Sequence, residues 1–222
     1  MPTTSCAPAR ARTRPASARR GVGRADRNRE ARLCYGPRVD ELFEFLVLIA
    51  ERLDRAQIPY MLSGSVALSM YAQPRMTRDV DFVVDIEEAQ VDKFVELFEG
   101  DCYVDRASVL EAVRARGMFN IIHQAWVIKA DFVVRKDQPY RKTEFDRRRK
   151  VSVGGKNFSV VTAEDLLLSK LHWAKTSRSE LQLGDVKNLI LSKSNLDWPY
   201  IQRWAQKLGV VDLLNEVRGE DV

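Results

Sequence analysis

Histidine and cysteine are scarce in this chain. The two histidines among 222 residues, His123 and His172, argue against a histidine-built metal site. Three cysteines, Cys6, Cys34 and Cys102, are odd in number and widely spaced, so neither a disulfide framework nor a zinc site is expected. That points to a reducing, cytoplasmic setting. Long apolar runs are missing too. The longest, Leu42 to Ala50, is broken by Glu44 and is too short to cross a bilayer, so no membrane partner is expected. Lysine is absent from residues 1–37, which hold nine arginines and only Asp26 and Glu30. That segment carries +7 against +5 for the whole chain, which leaves the remainder at −2. The basic balance belongs to one end and is no evidence that the body binds nucleic acid.

Residues 1–37 are rich in Ala, Arg, Pro, Ser and Gly and nearly lack large apolar side chains. Burial cannot offset the entropy of ordering such a stretch, so a disordered tail is expected. A nucleic-acid-binding arm, a transit-like peptide and a mis-called start are competing readings, and a mis-called start or an idle tail is preferred.

From Arg38 the pattern changes. Leu42, Phe45, Leu46, Ile49 and Leu53 recur at helical spacing and predict an amphipathic helix of about five turns. Ile58 to Leu62 reads as a strand ending at Ser63-Gly64-Ser65, followed by a short helix, Val66 to Tyr71, that stops before Pro74. Val80 to Val84 is a second strand, and Glu87 to Glu99 a helix with Val91, Phe94, Val95 and Phe98 on one face. Phe119 to His123 and Trp126 to Val134 read as consecutive strands. Gly154-Gly155 marks a hairpin between Val151 to Val153 and Phe158 to Val161. From Thr162 to about Val217 the chain reads as helical. The expected class is α+β: a mixed sheet flanked by helices over residues 38–161, then a helical region over 162–222 that completes the site.

Asp79 and Asp81 interrupt a strand that otherwise buries Val80, Phe82 and Val84. Alternation puts both carboxylates on one face. Two like charges held so close repel, and burying them unpaired is costly; a divalent cation such as Mg²⁺ removes that cost. An exposed strand face is the bland alternative. Asp131 interrupts another apolar strand, one expected to lie beside the first, with a chance aspartate on an edge strand as the alternative. Gly64-Ser65 sits at a strand-to-helix junction, where backbone can approach a phosphate, although it also suits an ordinary turn with a serine cap.

Gly-Ser, thirteen residues, Asp-Val-Asp and a later strand with one Asp resemble the polymerase-β-like nucleotidyltransferase superfamily. The local Arg75-Met-Thr77-Arg-Asp79-Val-Asp81-Phe is similar to the motif of AbiE-type (AbiEii) nucleotidyltransferases, a group that includes toxins of toxin–antitoxin systems. The resemblance covers roughly Ile58 to Leu191. It implies the nucleotidyltransferase fold and transfer of a nucleoside monophosphate from an NTP, such as ATP, to an acceptor hydroxyl. In it Asp79, Asp81 and Asp131 hold Mg²⁺, two ions, with Asp131 a ligand or general base. Gly64 and Ser65 cradle the triphosphate, with Arg75 and Thr77 on the NTP side. The acceptor is an RNA such as tRNA, a protein or a small molecule as in antibiotic nucleotidylation, and the toxin reading adds an antitoxin partner. A non-catalytic nucleotide-binding or interaction module of the same fold is the competing reading.

Downstream, Thr162 opens a helix on which Lys170 lies among Leu167, Leu171 and Ala174. A lysine in an apolar stripe snorkels or meets an anion. Similar enzymes carry a lysine here and an acid on the next helix, so Lys170 is assigned to the triphosphate and Asp185 to the acid. Arg178 stands seven residues before Asp185, which puts its role in doubt. The basic segment from Arg135 to Lys150 holds Tyr140 and Phe145; it reads as a solvated loop and hairpin or as an RNA-steering patch, with the former preferred. Trp173, Trp198, Trp204 and the Leu181 to Leu191 stripe read as core.

Overall fold

A computed structural model of the chain describes residues 39–77 and 79–219. The arginine-rich segment 1–37, expected as a tail, lies outside the described residues. The strands are β1 (Tyr60–Ser63), β2 (Asp79–Val84), β3 (Cys102–Tyr103), β4 (Met118–His123), β5 (Ile128–Val134), β6 (Arg149–Val153) and β7 (Lys156–Val160). They form one seven-stranded mixed sheet in the order β3-β4-β5-β2-β1-β7-β6. β2 runs parallel to β5, and β1 parallel to β7; the other neighbours are antiparallel.

The centre of the sheet follows directly from alternation. Along β2 and β5 every second residue is buried, so Val80, Phe82 and Val84 share a face with Ala130, Phe132 and Val134. Phe132 stacks on Phe82 at 5.5 Å and on Phe119 of β4 at 5.2 Å. Two helices cover this face, α1 (Val39–Ala56) and α3 (Val91–Phe98). Phe94 of α3 meets Phe132 edge-on at 5.3 Å, and Phe45 of α1 lies 5.3 Å from His123. Such burial, about 1.5–3 kcal/mol for each large apolar side chain, holds the layers together. The opposite face of β2 and β5 carries the residues that break the apolar runs.

α2 (Gly64–Leu68) follows β1 at once, and α4 (Arg106–Ala115) packs beside β4. The helix expected over Glu87 to Glu99 is split. A 3₁₀ turn, Glu88–Gln90, precedes α3, and Glu87 caps it reciprocally with Gln90. The strand expected from Trp126 begins only at Ile128, because Trp126 folds back to stack on His123 at 3.9 Å and Val127 takes a φ of 55°.

The segment from Arg135 to Lys150 is not a loop and hairpin alone. It contains α5 (Pro139–Asp146), with proline in its first turn. Tyr140, Glu144 and Phe145 recur at helical spacing and are buried, so the two aromatics are unavailable for stacking on RNA. After β7 come α6 (Ala163–Ser177), α7 (Glu180–Ser192), α8 (Trp198–Leu208) and α9 (Val211–Arg218). Thr162 caps α6 by accepting from the Asp165 amide. Trp198 and Trp204 pack against the core as expected, but Trp173 is 61% exposed, and Leu181 and Leu191 also face solvent. Among the described residues, no helix is long and apolar enough to cross a membrane. Of the three cysteines only Cys102 lies among them, as a buried free thiol.

Candidate active site

The expected neighbourhood of β2 and β5 is realised residue against residue. Asp81 stands opposite Asp131, and Asp79 opposite Lys129. Paired strands lie about 4.8 Å apart, so the Asp81 and Asp131 side chains leave the sheet side by side. Asp79 lies two residues earlier on β2, on the same face.

Gly64 explains why this corner is built from glycine. Its φ is +63°, and a Cβ there would lie 1.8 Å from Oδ2 of Asp81. Only a residue without a side chain lets the β1–α2 junction close onto that carboxylate. The Ser65 amide then donates to Asp81. Burial pushes the Asp81 carboxyl above the usual carboxylate range, and Asp131 and Asp79 push it the same way, against Lys170.

A second cluster stands behind this corner. Asp185 of α7, itself buried, accepts from Arg75 Nε at 3.0 Å and from Lys170 Nζ at 2.7 Å. Arg75 Nη2 also donates to Ser65 Oγ at 2.5 Å, and Lys170 Nζ to Gln182 at 3.2 Å. The apolar stripe therefore resolves as expected: Lys170 is 4% exposed and meets an anion. Ser65, Arg75, Lys170 and Asp185, from distant parts of the chain, form one network. Thr77 has a local role, donating its hydroxyl to the Asp79 carbonyl at 3.2 Å. Arg178 is outside the network; it ends α6 in a left-handed conformation and pairs with Glu216.

α6 is held in place by a buried acid in its first turn. Asp165 is fully buried and accepts from Thr162, Tyr200 and Arg147. Its carbonyl accepts from Tyr140. This joins α5, α6 and α8. Beside it Ser169 donates to Glu144 at 2.5 Å and Arg141 donates to Glu144 at 2.8 Å. Burial pushes the Glu144 carboxyl upward. Tyr140 and Glu144, at i and i+4 in the basic segment, were the available signal for this helix.

Between the open face of the sheet and α6 runs a cleft of about 420 Å³. Gly64, Ser65, Asp81 and Lys170 line one part of it, and Met118, Val133, Arg141 and Trp173 another. Trp173 and Met118, 61% and 60% exposed, give it apolar walls.

Among the described residues, no group of three His, Cys, Asp or Glu side chains converges on a point that would hold a metal ion. The donor chemistry nevertheless fits a hard cation, because Asp81 and Asp131 present carboxylate oxygens side by side. A cation already lies against that face. Lys129 Nζ is 2.7 Å from Asp131 Oδ2 and 3.9 Å from Asp79 Oδ1. Lys129 was missed in the sequence, although its place two residues before Asp131 puts it on the same face.

No protein-family model matches the chain, and no curated protein matches it by sequence. Solved structures do. An antigenic nucleotidyltransferase-like protein from Paracoccidioides brasiliensis is similar with a TM-score of 0.53 at 16% identity, over 83% of this chain and 95% of that one. A lincomycin-bound lincosamide antibiotic adenylyltransferase gives 0.46 at 16% identity, over 70% and 98%. The antibiotic-resistance factor ANT(2'')-Ia gives 0.47 at 12%, over 78% and 94%. Identities this low speak to the fold alone, and the first of these likenesses carries that statement. The chain has an α+β nucleotidyltransferase-like fold, a seven-stranded mixed sheet flanked by helices.

Proposed function

We propose that the chain is a Mg²⁺-dependent nucleotidyltransferase that moves a nucleoside monophosphate from an NTP to an acceptor hydroxyl. The observation that carries the reading is the corner where Asp81, in register with Asp131, meets Gly64 and Ser65 beside the Arg75–Asp185–Lys170 network. A triphosphate needs cations and backbone amides on one side and carboxylates for its metal on the other, and this corner holds both.

In this reading Asp79, Asp81 and Asp131 are the residues that would hold Mg²⁺, which when bound neutralises charge building on the phosphates. Ser65 and Gly64 receive the β- and γ-phosphates, with Arg75 and Lys170 opposing their charge. Asp185 touches Arg75 and Lys170, so we assign it as a positioning residue. The acceptor oxygen attacks the α-phosphorus as its proton passes to Asp131. The bond from that phosphorus to the bridging oxygen breaks, and pyrophosphate leaves with the electron pair.

The test is transfer of label from each of the four α-³²P NTPs, with Mg²⁺, into tRNA, protein and small-molecule fractions. Label in one fraction, lost in Asp79→Ala and Asp81→Asn, supports the reading and names the acceptor class. The AbiE-type reading adds an antitoxin partner and predicts that a co-expressed partner suppresses the labelling. A folded protein that neither labels any fraction nor binds NTP is instead a non-catalytic module. Asp81→Asn is expected to fold as well as the wild type or better, since it removes a desolvated charge beside two others. A thermal melt checks this separately from activity.

A further inference from the structure

We propose that the apolar half of the cleft is a slot for the nucleobase of the NTP, in which Trp173 and the row Met118, Val133 and Val83 grip the ring by its faces and favour purines over pyrimidines. The inference rests on the nucleotidyltransferase reading above and deepens it.

The floor of the slot comes from register. Val133 is the partner of Val83 on β2 and of Met118 on β4, so the three side chains cross the open face of the sheet in one row. That row lies two residues further along β2 and β5 than the row of Asp81 and Asp131, about 7 Å away. All three residues line the cleft. The roof comes from helical spacing. Leu166, Ser169, Lys170 and Trp173 of α6, at i, i+3, i+4 and i+7, share the face turned to the cleft. Trp173 thus stands about one turn beyond Lys170, the group assigned to the triphosphate.

The contents of this half suit a flat ring. Trp173 and Met118 remain mostly exposed although both are large and apolar, and a ring laid against them removes that surface from water. Glu144, a carboxylate buried at this end, is already satisfied, since it accepts from Ser169 at 2.5 Å and from Arg141 at 2.8 Å. Arg141 also donates to Ser169 at 2.6 Å. With these polar groups turned on one another, the grip falls to the apolar faces. Every base has such a face, and a two-ring purine covers more of Trp173 than a one-ring pyrimidine. An NTP whose β- and γ-phosphates lie at Ser65 and Lys170 carries its base one ribose away from the α-phosphate, which is the step from the acidic row to the apolar row. The acceptor has a separate approach. In-line attack sets its oxygen opposite the leaving pyrophosphate. It therefore arrives along the acidic row from the β4 side, over Asn120, which is exposed and in register with Asp131.

The experiment is calorimetric titration of the full chain, with Mg²⁺, by ATP, GTP, CTP, UTP and inorganic triphosphate, for the wild type, Trp173→Ala, Trp173→Phe and Met118→Ala. In the wild type the two purine nucleotides are expected to bind about fivefold more tightly than the two pyrimidine nucleotides, and inorganic triphosphate more weakly than any of them. Trp173→Ala is expected to weaken ATP and GTP about tenfold and to leave inorganic triphosphate unchanged, while Trp173→Phe keeps most of the affinity. Met118→Ala is expected to weaken the purines about threefold. Both side chains are mostly exposed, so the variants are expected to fold, and circular dichroism confirms it. Nucleotides that bind no better than inorganic triphosphate, or equally well in Trp173→Ala and the wild type, overturn the inference while leaving the transferase reading intact. Binding of none of the five ligands overturns that reading, and the inference with it.

Discussion

Gly64 is the residue on which the corner depends most directly. An alanine there meets two penalties. Its φ of +63° costs a side-chain-bearing residue about 1–2 kcal/mol, and the new methyl group lands on the Asp81 carboxylate. Gly64→Ala is expected to lose about 1–3 kcal/mol in a denaturant melt and to lose nucleotidyl transfer, because Asp81 must move. An unchanged melt would falsify the close approach. The residue scale also explains why Asp79 and Asp81 tolerate each other. They are two apart on one face of β2, and Lys129 stands near Asp79 while Lys170 acts on Asp81.

At the scale of elements, α6 and α7 matter as a pair. Lys170 comes from one and Asp185 from the other, and both are buried. Removing one partner of a buried pair leaves the other charge uncompensated. Asp185→Asn is therefore expected to cost about 3 kcal/mol. The double variant Asp185→Asn, Lys170→Met is expected to recover most of that stability without recovering transfer, since Lys170 is the group assigned to the triphosphate. Equal melting of the single and double variants would contradict this account of the pair. Trp173 extends from α6 into the cleft and is mostly exposed. Trp173→Phe should leave the melt nearly unchanged, and it should abolish most of the change in tryptophan fluorescence when NTP is added. A persistent signal would place the ligand away from α6.

At the scale of the whole molecule, the two histidines contribute a dependence of stability on pH near neutrality. His123 is buried against Trp126 and Phe45, accepts the Trp126 amide on Nδ1, and is held below the usual histidine range chiefly by burial. His172 is lowered by burial and by Arg141, Lys175 and Lys136. Both are thus more easily protonated in the unfolded chain, which binds more protons than the native state as pH falls. Stability present above about pH 6.5 is expected to be lost progressively below it, by at most about 1.4 kcal/mol per pH unit for each group. Thermal melts between pH 8 and pH 5 test this, and His123→Phe should flatten the slope.

Much of this was legible in the chain itself. Helix α1 and strand β2 follow from short-range periodicity, as does the shared face of Asp79 and Asp81, and the β6–β7 hairpin follows from the Gly154-Gly155 turn. Alternation is a property of neighbouring residues and needs no partner. Lys129 was readable by the same rule and was overlooked. The Asp81–Asp131 pairing joins strands 50 positions apart, and Arg75 reaches Asp185 across 110. Such contacts depend on register and packing between elements, which local pattern does not encode. Trp173 shows the same limit from the other side: an aromatic on a helix is buried or exposed according to what lies opposite. By itself the sequence determined which residues share a face. Only the tertiary structure decided which faces meet, because meeting is a matter of long-range closure.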